Sequence, residues 1–308
     1  MSDMNPFDLQ IQTTASDGAH TPSECVAMAK ENGVTATAIT DHDTVAGVAE
    51  AVAAGIELGV RVIPGIEISI QEHGMHLLGL GIDVQHPSLL DAMRQAAENR
   101  LAATKQMTEN FRQGGFAVEW EDVLREARAS AVITRPHIVS AIMKRPENRE
   151  KLEGIRTKQE FFERYFTDES PYYVRASTLT PTAAIEIVHG AGGVAVWSHP
   201  PIPDFAGNCP ALGEFLVELI SHGLDGIELF SPSHAEADVA CLEALAARHG
   251  LLTTGGSDFH ERHDRTHEPW PRSASTIGDF PTYGRPLAGM LEALDRAIER
   301  RRILASRG

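Results

Sequence analysis

The sequence lacks an uninterrupted apolar run that approaches the roughly 18 residues needed to span a bilayer. Its first residues also lack the basic segment followed by an apolar one that marks a secretory signal. We therefore expect neither membrane insertion nor secretion. The chain has 308 residues, of which 42% are hydrophobic and 23% are charged. This composition is typical of folded globular proteins and excludes disordered and fibrous classes.

Cysteine is scarce. The chain contains three cysteines, Cys25, Cys209 and Cys241, an odd number with no Cys-x-x-Cys spacing. This usage favours reduced thiols in a cytoplasmic protein. Cys25 and Cys241 fall within helix-like segments, and we expect them to be small buried residues rather than ligands or nucleophiles.

Basic residues are outnumbered by acidic ones. Lysine and arginine number 27 against 43 for aspartate and glutamate, so the formal net charge is −16. This balance argues against a uniform basic face for long nucleic acid. A small phosphorylated substrate remains compatible with it, because divalent cations held by carboxylates reverse the local field while the rest of the protein stays negative. The sequence holds no indication of the oligomeric state.

Short strands alternate with helices in the first and last parts of the chain. The predicted strands cover residues 7–11, 35–40, 60–63, 75–80, 194–197, 226–230 and 251–254, with an extended piece at 66–70. This order predicts an α/β fold with parallel strands and right-handed crossovers. Residues 87–175 show helical periodicity without convincing strands. We therefore expect residues 1–86 and 176–308 to form one barrel, and residues 87–175 to form an all-helical insertion that caps it.

Ionisable residues follow the predicted strands, at the edge where parallel α/β barrels build their active sites. Taken singly, each is more often a structural residue than a ligand. Together they would repel and desolvate one another unless cations were bound, so their convergence predicts a metal cluster. Mixed histidine and carboxylate donors suit Mn, Zn or Fe better than Ca or Mg. The residues concerned are Asp17, His42, Glu67, His199, Asp258 and His260, together with His76, which stands at the opening of the strand at 75–80.

Short motifs around these residues carry a family resemblance; each is weak alone, and together they are highly specific. They are Ser16-Asp17-Gly18, Thr40 to Thr44, Pro64 to Glu67, His76, Ser198 to Pro200 and Gly256 to His260. With them the chain resembles the PHP (polymerase and histidinol phosphatase) superfamily of metal-dependent phosphoesterases over essentially its whole length. The resemblance implies a distorted seven-stranded (β/α) barrel of PHP type with an all-helical insertion, and two to three divalent metal ions.

The motifs look most like those of the subgroup with a helical insertion, which includes nucleotide phosphatases and a 5′-end-directed exonuclease. Its Arg-x-His signature appears here as Arg135-Pro136-His137. The resemblance implies hydrolysis of a small phosphorylated substrate, a nucleotide or nucleoside bisphosphate, contacted by Arg135 and His137. Arg100 is a further substrate-binding candidate. Glu67 would bridge two ions or ligate one, so the implied catalytic residues are Glu67, Arg135 and His137.

Carried over by position, the resemblance implies three ligand sets. The first comprises Gln10, Gln12, Glu67 and Asp258; the second Glu67, His76 and His199; the third Asp17, His42 and His260. The first set departs from the family, because Gln10-Ile11-Gln12 stands where the family has His-x-His. A neutral amide oxygen is a weaker donor to Zn or Mn than an imidazole nitrogen, so the first ion should bind weakly or be missing.

Several explanations of the two glutamines stay open at this stage. One explanation is an enzyme that works with two metals, and another is an altered enzyme whose first metal is labile. A third is a binding protein that has lost turnover. In the fourth, the glutamines are not the natural residues. A metal-dependent phosphoesterase is our leading interpretation, since a site without function has no need to keep buried charges clustered. A metal-stabilised binding protein and an oligonucleotide 5′-exonuclease are the alternatives.

Overall fold

The computed structural model describes residues 4–128, 132–167, 169–200, 205, 207–262 and 274–306. Seven strands form one sheet whose spatial order follows the chain: β1 (Phe7–Asp8), β2 (Ala36–Ile39), β3 (Arg61–Ser69), β4 (His76–Leu80), β5 (Val194–Ser198), β6 (Gly226–Phe230) and β7 (Leu252–Gly255). The α-helices in these ranges are α1 (Pro22–Glu31), α2 (Val48–Leu58), α3 (Pro87–Gln113), α4 (Trp120–Ala127), α5 (Arg135–Met143), α6 (Lys158–Tyr165), α7 (Pro181–Gly190), α8 (Cys209–Ser221), α9 (Glu236–His249) and α10 (Met290–Ala305).

The sheet curls into a nearly closed barrel, because the segment after β1 lies beside the segment after β7. The backbone N–H of Gln12 donates to the carbonyl of Phe259 at 2.8 Å. Gly256 permits this approach, since a Cβ there would lie 2.7 Å from the backbone nitrogen of Gln10. The prediction of a seven-stranded α/β barrel with a helical insertion is confirmed.

The direction of β4 differs from the expectation that all strands run parallel. β4 pairs antiparallel with both β3 and β5. Only residues 70–75 connect β3 to β4, too few for the crossover that parallel strands need. Because of this reversal, His76 at the start of β4 pairs with Ser69 and Ser198 at the ends of β3 and β5. The first residue of β4 thereby reaches the end of the barrel where the parallel strands finish.

Capping chemistry fixes the start of α1. The side-chain hydroxyl of Thr21 accepts from the backbone N–H of Glu24 at 3.2 Å, and the Glu24 carboxylate accepts from the N–H of Thr21 at 2.8 Å. This capping box, with Pro22 at the first helical position, begins the helix where the sequence predicts it.

The insertion has a hydrophobic core of its own, which includes Phe111 and Phe161. α3 belongs to two cores, because Leu89 and Met93 pack into the barrel core whereas Phe111 lies in the core of the insertion. The second core supports the predicted insertion, whose boundaries at residues 87 and 175 stay a prediction. Neither the 27-residue α3 nor any other helix in the described ranges is both long and apolar enough to cross a membrane.

The prediction of three reduced thiols is wrong for two of them. Cys209 and Cys241 form a disulfide that links the start of α8 to α9, with their Cα atoms 6.0 Å apart. Helix packing brings these residues together although 32 positions separate them in the chain. Cys25 is buried and free, as expected, and burial raises the pKa of its thiol. The cytoplasmic location, which was inferred from reduced cysteines, stays a prediction.

A carboxylate ties together the end of the barrel where β5 and β6 begin. Asp225 accepts from the backbone N–H of Ala195 at 2.9 Å and from His189 Nε2 at 2.8 Å, and it is ion-paired with Arg301 of α10. Burial would raise the pKa of Asp225, but these donors outweigh burial and hold the pKa below its usual value.

We expect Asp225→Asn to lower the free energy of unfolding by about 2 kcal/mol at neutral pH, because it removes the charge that these donors face. Since the folded-state pKa is lowered, the stabilisation is complete above the pKa of the unfolded chain and is lost as the pH falls through the folded-state value. Urea unfolding of wild type and variant should therefore converge at acidic pH.

Asp295→Asn is the matched control, since it breaks a more exposed pair between the same helix and Arg61 and should cost less than about 1 kcal/mol. If the difference in free energy of unfolding between wild type and Asp225→Asn stays constant down to acidic pH, the charge of Asp225 does not stabilise the fold in this way.

Candidate metal centre

The predicted ligands meet at one end of the barrel, where the parallel strands finish and β4 begins. The side chains brought to this end are Gln10, Gln12, Asp17, His42, Glu67, His76, His199, Asp258 and His260. Among the residues that the structure describes, two groups of three each place one ligand atom per residue within 4.8 Å of the others. One group is Asp17, His42 and His260; the other is His42, Glu67 and His76. His42 belongs to both, so the two groups adjoin.

Glu67, in β3, lies at the centre of the site and is fully buried. Its Oε1 atom contacts His76 Nδ1 at 3.0 Å and His199 Nε2 at 3.1 Å. Its Oε2 atom lies 3.5 Å from His42 Nδ1. Burial alone would raise the pKa of Glu67, but the three histidines outweigh burial and hold the pKa well below its ordinary value. Glu67 is therefore an ionised carboxylate surrounded by imidazoles.

Asp17 comes from the loop after β1 and is the carboxylate of the other group. Its Oδ1 atom lies 3.6 Å from His260 Nε2. Burial would raise the pKa of Asp17, but His42 and His260 in particular lower it to about 2. Burial lowers the pKa of His42 to about 4, so that its imidazole is neutral at physiological pH and has a lone pair for a cation.

These donors fit a divalent cation. Among the described residues, Asp17 Oδ1 and His42 Nδ1 are buried atoms without a hydrogen-bond partner, and native proteins rarely leave such atoms unpaired. Burial, together with neighbouring carboxylates including Glu67 and Asp17, raises the pKa of Asp258 well above its usual value. Clustered carboxylates with neutral imidazoles are the ligands that Zn, Mn and Fe take in proteins.

Strained backbone recurs in the site. Asp43, His199 and Asp258 take positive φ angles of 51°, 33° and 48°. This region costs a non-glycine residue on the order of 1 kcal/mol, and such residues cluster at functional sites because the surrounding structure holds them there.

Asp41 holds the loop that carries Asp17. Its carboxylate accepts from the backbone N–H of Thr13 at 2.7 Å and from the Ser16 hydroxyl at 2.6 Å. Burial raises the pKa of Asp41 to about 6 in spite of these bonds. Asp41 therefore acts on the site by orienting this loop.

Arg100 is anchored to the residue that follows His42. Its guanidinium donates to the Asp43 carboxylate and, at 2.8 Å, to the Ser69 hydroxyl. Asp43 also accepts from the backbone N–H of Ser69 at 2.8 Å, so it joins β3 to the loop after β2. Burial, with Arg135 nearby, lowers the pKa of Arg100 to about 10, and the residue stays charged at neutral pH. The sequence motifs predict a substrate-binding role for Arg100 and do not predict its ion pair with Asp43.

A small cleft of about 40 Å³ lies between the barrel and the insertion. His76, Arg100, Arg135, Tyr173 and Arg175 are among the residues that line it. The Arg135 guanidinium lies 5.5 Å from the ring centroid of Phe162 and 5.8 Å from that of Tyr173, so aromatic faces position it. Arg175 belongs to no motif, and sequence reasoning missed it.

His137 is buried near the start of α5. Its Nδ1 atom accepts from the backbone N–H of Thr134 at 3.0 Å, which leaves the proton of the neutral ring on Nε2. Burial lowers the pKa of His137, and the residue is close enough to Asp17 to act on the pKa of that carboxylate. His137 therefore combines a capping role with a second ring nitrogen that is a hydrogen-bond donor.

Known proteins share this sequence and fold. The PHP domain family matches residues 8–169. The 3′,5′-nucleoside bisphosphate phosphatase of Chromobacterium violaceum is 30% identical over 292 residues, which cover 94% of this chain and 98% of that protein. The 5′-3′ exoribonuclease Rnm of Salmonella typhimurium is 32% identical over 259 residues, or 83% and 85% of the two chains. A structure described as a metal-dependent phosphoesterase from Bifidobacterium adolescentis has a TM-score of 0.75 at 28% identity, over 95% and 96% of the two chains.

The fold, the clustered donors and these matches define a metal-dependent phosphoesterase, an enzyme that hydrolyses phosphate esters. The chain belongs to the PHP domain family. The family resemblance of the motifs is thereby confirmed, whereas the role of each individual site residue stays a prediction.

Removal of divalent cations with a chelator should lower the melting temperature by about 5 to 10 °C, because a tightly bound ion stabilises the folded state by about 4 kcal/mol at a thousandfold excess over its Kd. Differential scanning calorimetry before and after addition of Mn should show the recovery. His260→Ala should recover less than wild type, since it removes one donor of the Asp17 group. An unchanged melting temperature in chelator would argue against the centre.

Arg100→Met should lower the free energy of unfolding by about 3 kcal/mol, since it leaves the Asp43 carboxylate buried without its cation. When Arg100→Met is combined with Asp43→Asn, the loss in free energy of unfolding should be smaller than the sum of the losses of the two single variants. Denaturant titration of wild type, both single variants and the double variant measures these values. Arg94→Met, which breaks an exposed pair on the same helix, is the control and should change stability by less than about 1 kcal/mol. Additive losses would contradict the pairing.

Proposed function

We propose that the enzyme removes a phosphate from a nucleotide that carries a second phosphate, a nucleoside bisphosphate. The observation that carries the proposal is the shared cleft: His76, a candidate metal ligand, lines the same cavity as Arg100, Arg135 and Arg175. The cleft therefore combines a candidate metal ligand with guanidinium groups. A substrate with two phosphates matches both.

The proposed ligands form two sets. Glu67, His76 and His199 would hold one divalent ion. Asp17, His42 and His260 would hold another. Mn, Zn and Fe suit these mixed donors. When bound, such ions supply a hydroxide at neutral pH and neutralise the oxygens of the phosphoryl group.

The protein's own groups have separate tasks in this proposal. Glu67 and the histidines fix the position of the scissile phosphate by holding the ions. Arg135 contacts the second phosphate, for which its planar fork is suited because two parallel N–H groups match two phosphate oxygens. His137 donates from Nε2 without adding charge, since its pKa is lowered. Arg100 supports the loop after β2 through its ion pair with Asp43 and lines the cleft.

A relative supports this substrate class. The Chromobacterium violaceum protein that is similar to this chain over 94% of its length is named for 3′,5′-nucleoside bisphosphates. Another similar protein is named an exoribonuclease. To bind a longer RNA, the protein would need a track of basic residues beyond the cleft. The formal net charge of −16 argues against such a track.

Arg135→Met should lower kcat/KM for adenosine 3′,5′-bisphosphate by about 100-fold, because a charge-assisted bidentate contact contributes about 2 to 3 kcal/mol. The same change should lower kcat/KM for adenosine monophosphate much less, since that substrate has no second phosphate. Phosphate release in Mn-containing buffer measures both constants.

Arg125→Met is the control, because Arg125 is 72% exposed on the neighbouring α4 and should leave both constants unchanged. Equal losses on the two substrates would contradict the assigned contact. Faster release from a 5′-phosphorylated oligoribonucleotide than from any nucleotide would replace the bisphosphate by RNA as the substrate.

A further inference from the structure

The first predicted ligand set has a geometry unlike that of the other two. Gln10 and Gln12 are fully buried. The amide nitrogen of Gln10 donates to Glu67 Oε1 at 3.2 Å and to the Ser198 hydroxyl at 2.9 Å. The amide nitrogen of Gln12 donates to Glu67 Oε2 at 2.6 Å. Each oxygen of the central carboxylate therefore faces an N–H group of one glutamine.

Amide nitrogens cannot ligate a cation, because their lone pair is delocalised into the carbonyl and only the oxygen accepts. To ligate a metal beside Glu67, both amides would have to turn their oxygens towards it and lose their bonds to the carboxylate. The oxygen of Gln12 lies 3.3 Å from the Ser16 hydroxyl, whose proton is donated to Asp41 at 2.6 Å. The oxygen of Gln10 has no hydrogen-bond partner among the described residues, and one neutral oxygen is a poor substitute for two imidazoles. With both amides engaged in this way, the first set keeps the two carboxylates Glu67 and Asp258, fewer donors than the three of each other set, and it does not fit a tightly held metal ion.

We propose that the amides of Gln10 and Gln12 replace one metal ion of the PHP site: their N–H groups hold Glu67 where a cation would otherwise hold it, and the protein binds two divalent ions per chain. The inference rests on the ligand sets of the proposed function. It adds that the two glutamine amides take the place of the ion of the first set. Gln10 and Gln12 are thus positioning residues that act through Glu67.

Neutral donors have a different effect on Glu67 from that of a cation. A carboxylate that bridges to an additional ion shares its charge with that ion, whereas one held by amides keeps its charge for the ions that remain. Hydrogen-bond donors to a ligating carboxylate also fix its orientation, and their loss typically weakens metal binding 10- to 100-fold. The glutamines should therefore matter for metal affinity although they bind no metal.

The first test counts ions. Wild type and the double variant Gln10→His with Gln12→His are saturated with Mn, freed of excess ion by gel filtration and measured by inductively coupled plasma mass spectrometry. Wild type should hold two ions per chain and the double variant three. Gln106→His with Gln113→His, which adds two histidines at exposed positions of α3, is the matched control and should stay at two.

The second test separates positioning from a general structural role. Gln12→Leu removes the donor to Glu67 Oε2 and keeps a side chain of similar size. Isothermal titration with Mn should show binding at the remaining sites weakened about 10-fold. The double histidine variant should recover the affinity, because the cation returns as the partner of Glu67. A purely structural role would lower the melting temperature of Gln12→Leu and leave the Mn dissociation constant unchanged.

A wild-type count other than two overturns the inference, as does a double histidine variant that gains no ion or a Gln12→Leu variant with wild-type affinity. If the double variant does not fold, the wild-type count and the Gln12→Leu titration still decide. The ion count needs no substrate. Absence of phosphate release from bisphosphates would therefore overturn the proposed function and leave this inference standing.

Discussion

Glu67 is a negative charge placed where it has no exposed surface, and most of the site exists to compensate it. Its partners come from several strands or the loops that follow them: the glutamines after β1, His42 after β2, His76 at the start of β4 and His199 after β5. These partners meet when strands β1 to β5 pair in one sheet. Folding and assembly of the site are therefore coupled, since unpaired strands would leave the carboxylate without its donors.

The reversed β4 serves the same constraint. In a strictly parallel barrel, the residues at the start of a strand lie at the opposite end from the site. Because β4 runs the other way, His76 at its start contacts Glu67 near the end of β3. Strain is a further cost of this crowding. His199, which follows β5, takes a positive φ, and its ring still reaches the same carboxylate oxygen as His76.

The sequence was informative where chemistry follows local rules. Motifs at the ends of strands predicted which side chains converge, because barrel geometry brings those positions together whatever the intervening residues are. Three features could not be predicted in this way. The direction of β4 depends on the short connection from β3. The Cys209–Cys241 disulfide depends on how α8 packs against α9. The amide orientation of Gln10 and Gln12 depends on a carboxylate more than 50 positions away. The last two are tertiary contacts between segments that are distant in the chain, whereas the direction of β4 follows from a connection too short for a crossover.

One continuous helix crosses from the barrel core into the core of the insertion. α3 packs Leu89 on the barrel and Phe111 within the insertion, with Arg100 and its ion pair between them. An α-helix rises about 1.5 Å per residue, so the length of α3 sets the distance between the two cores. Arg100 and its ion pair are thereby held at a fixed position between the barrel and the insertion.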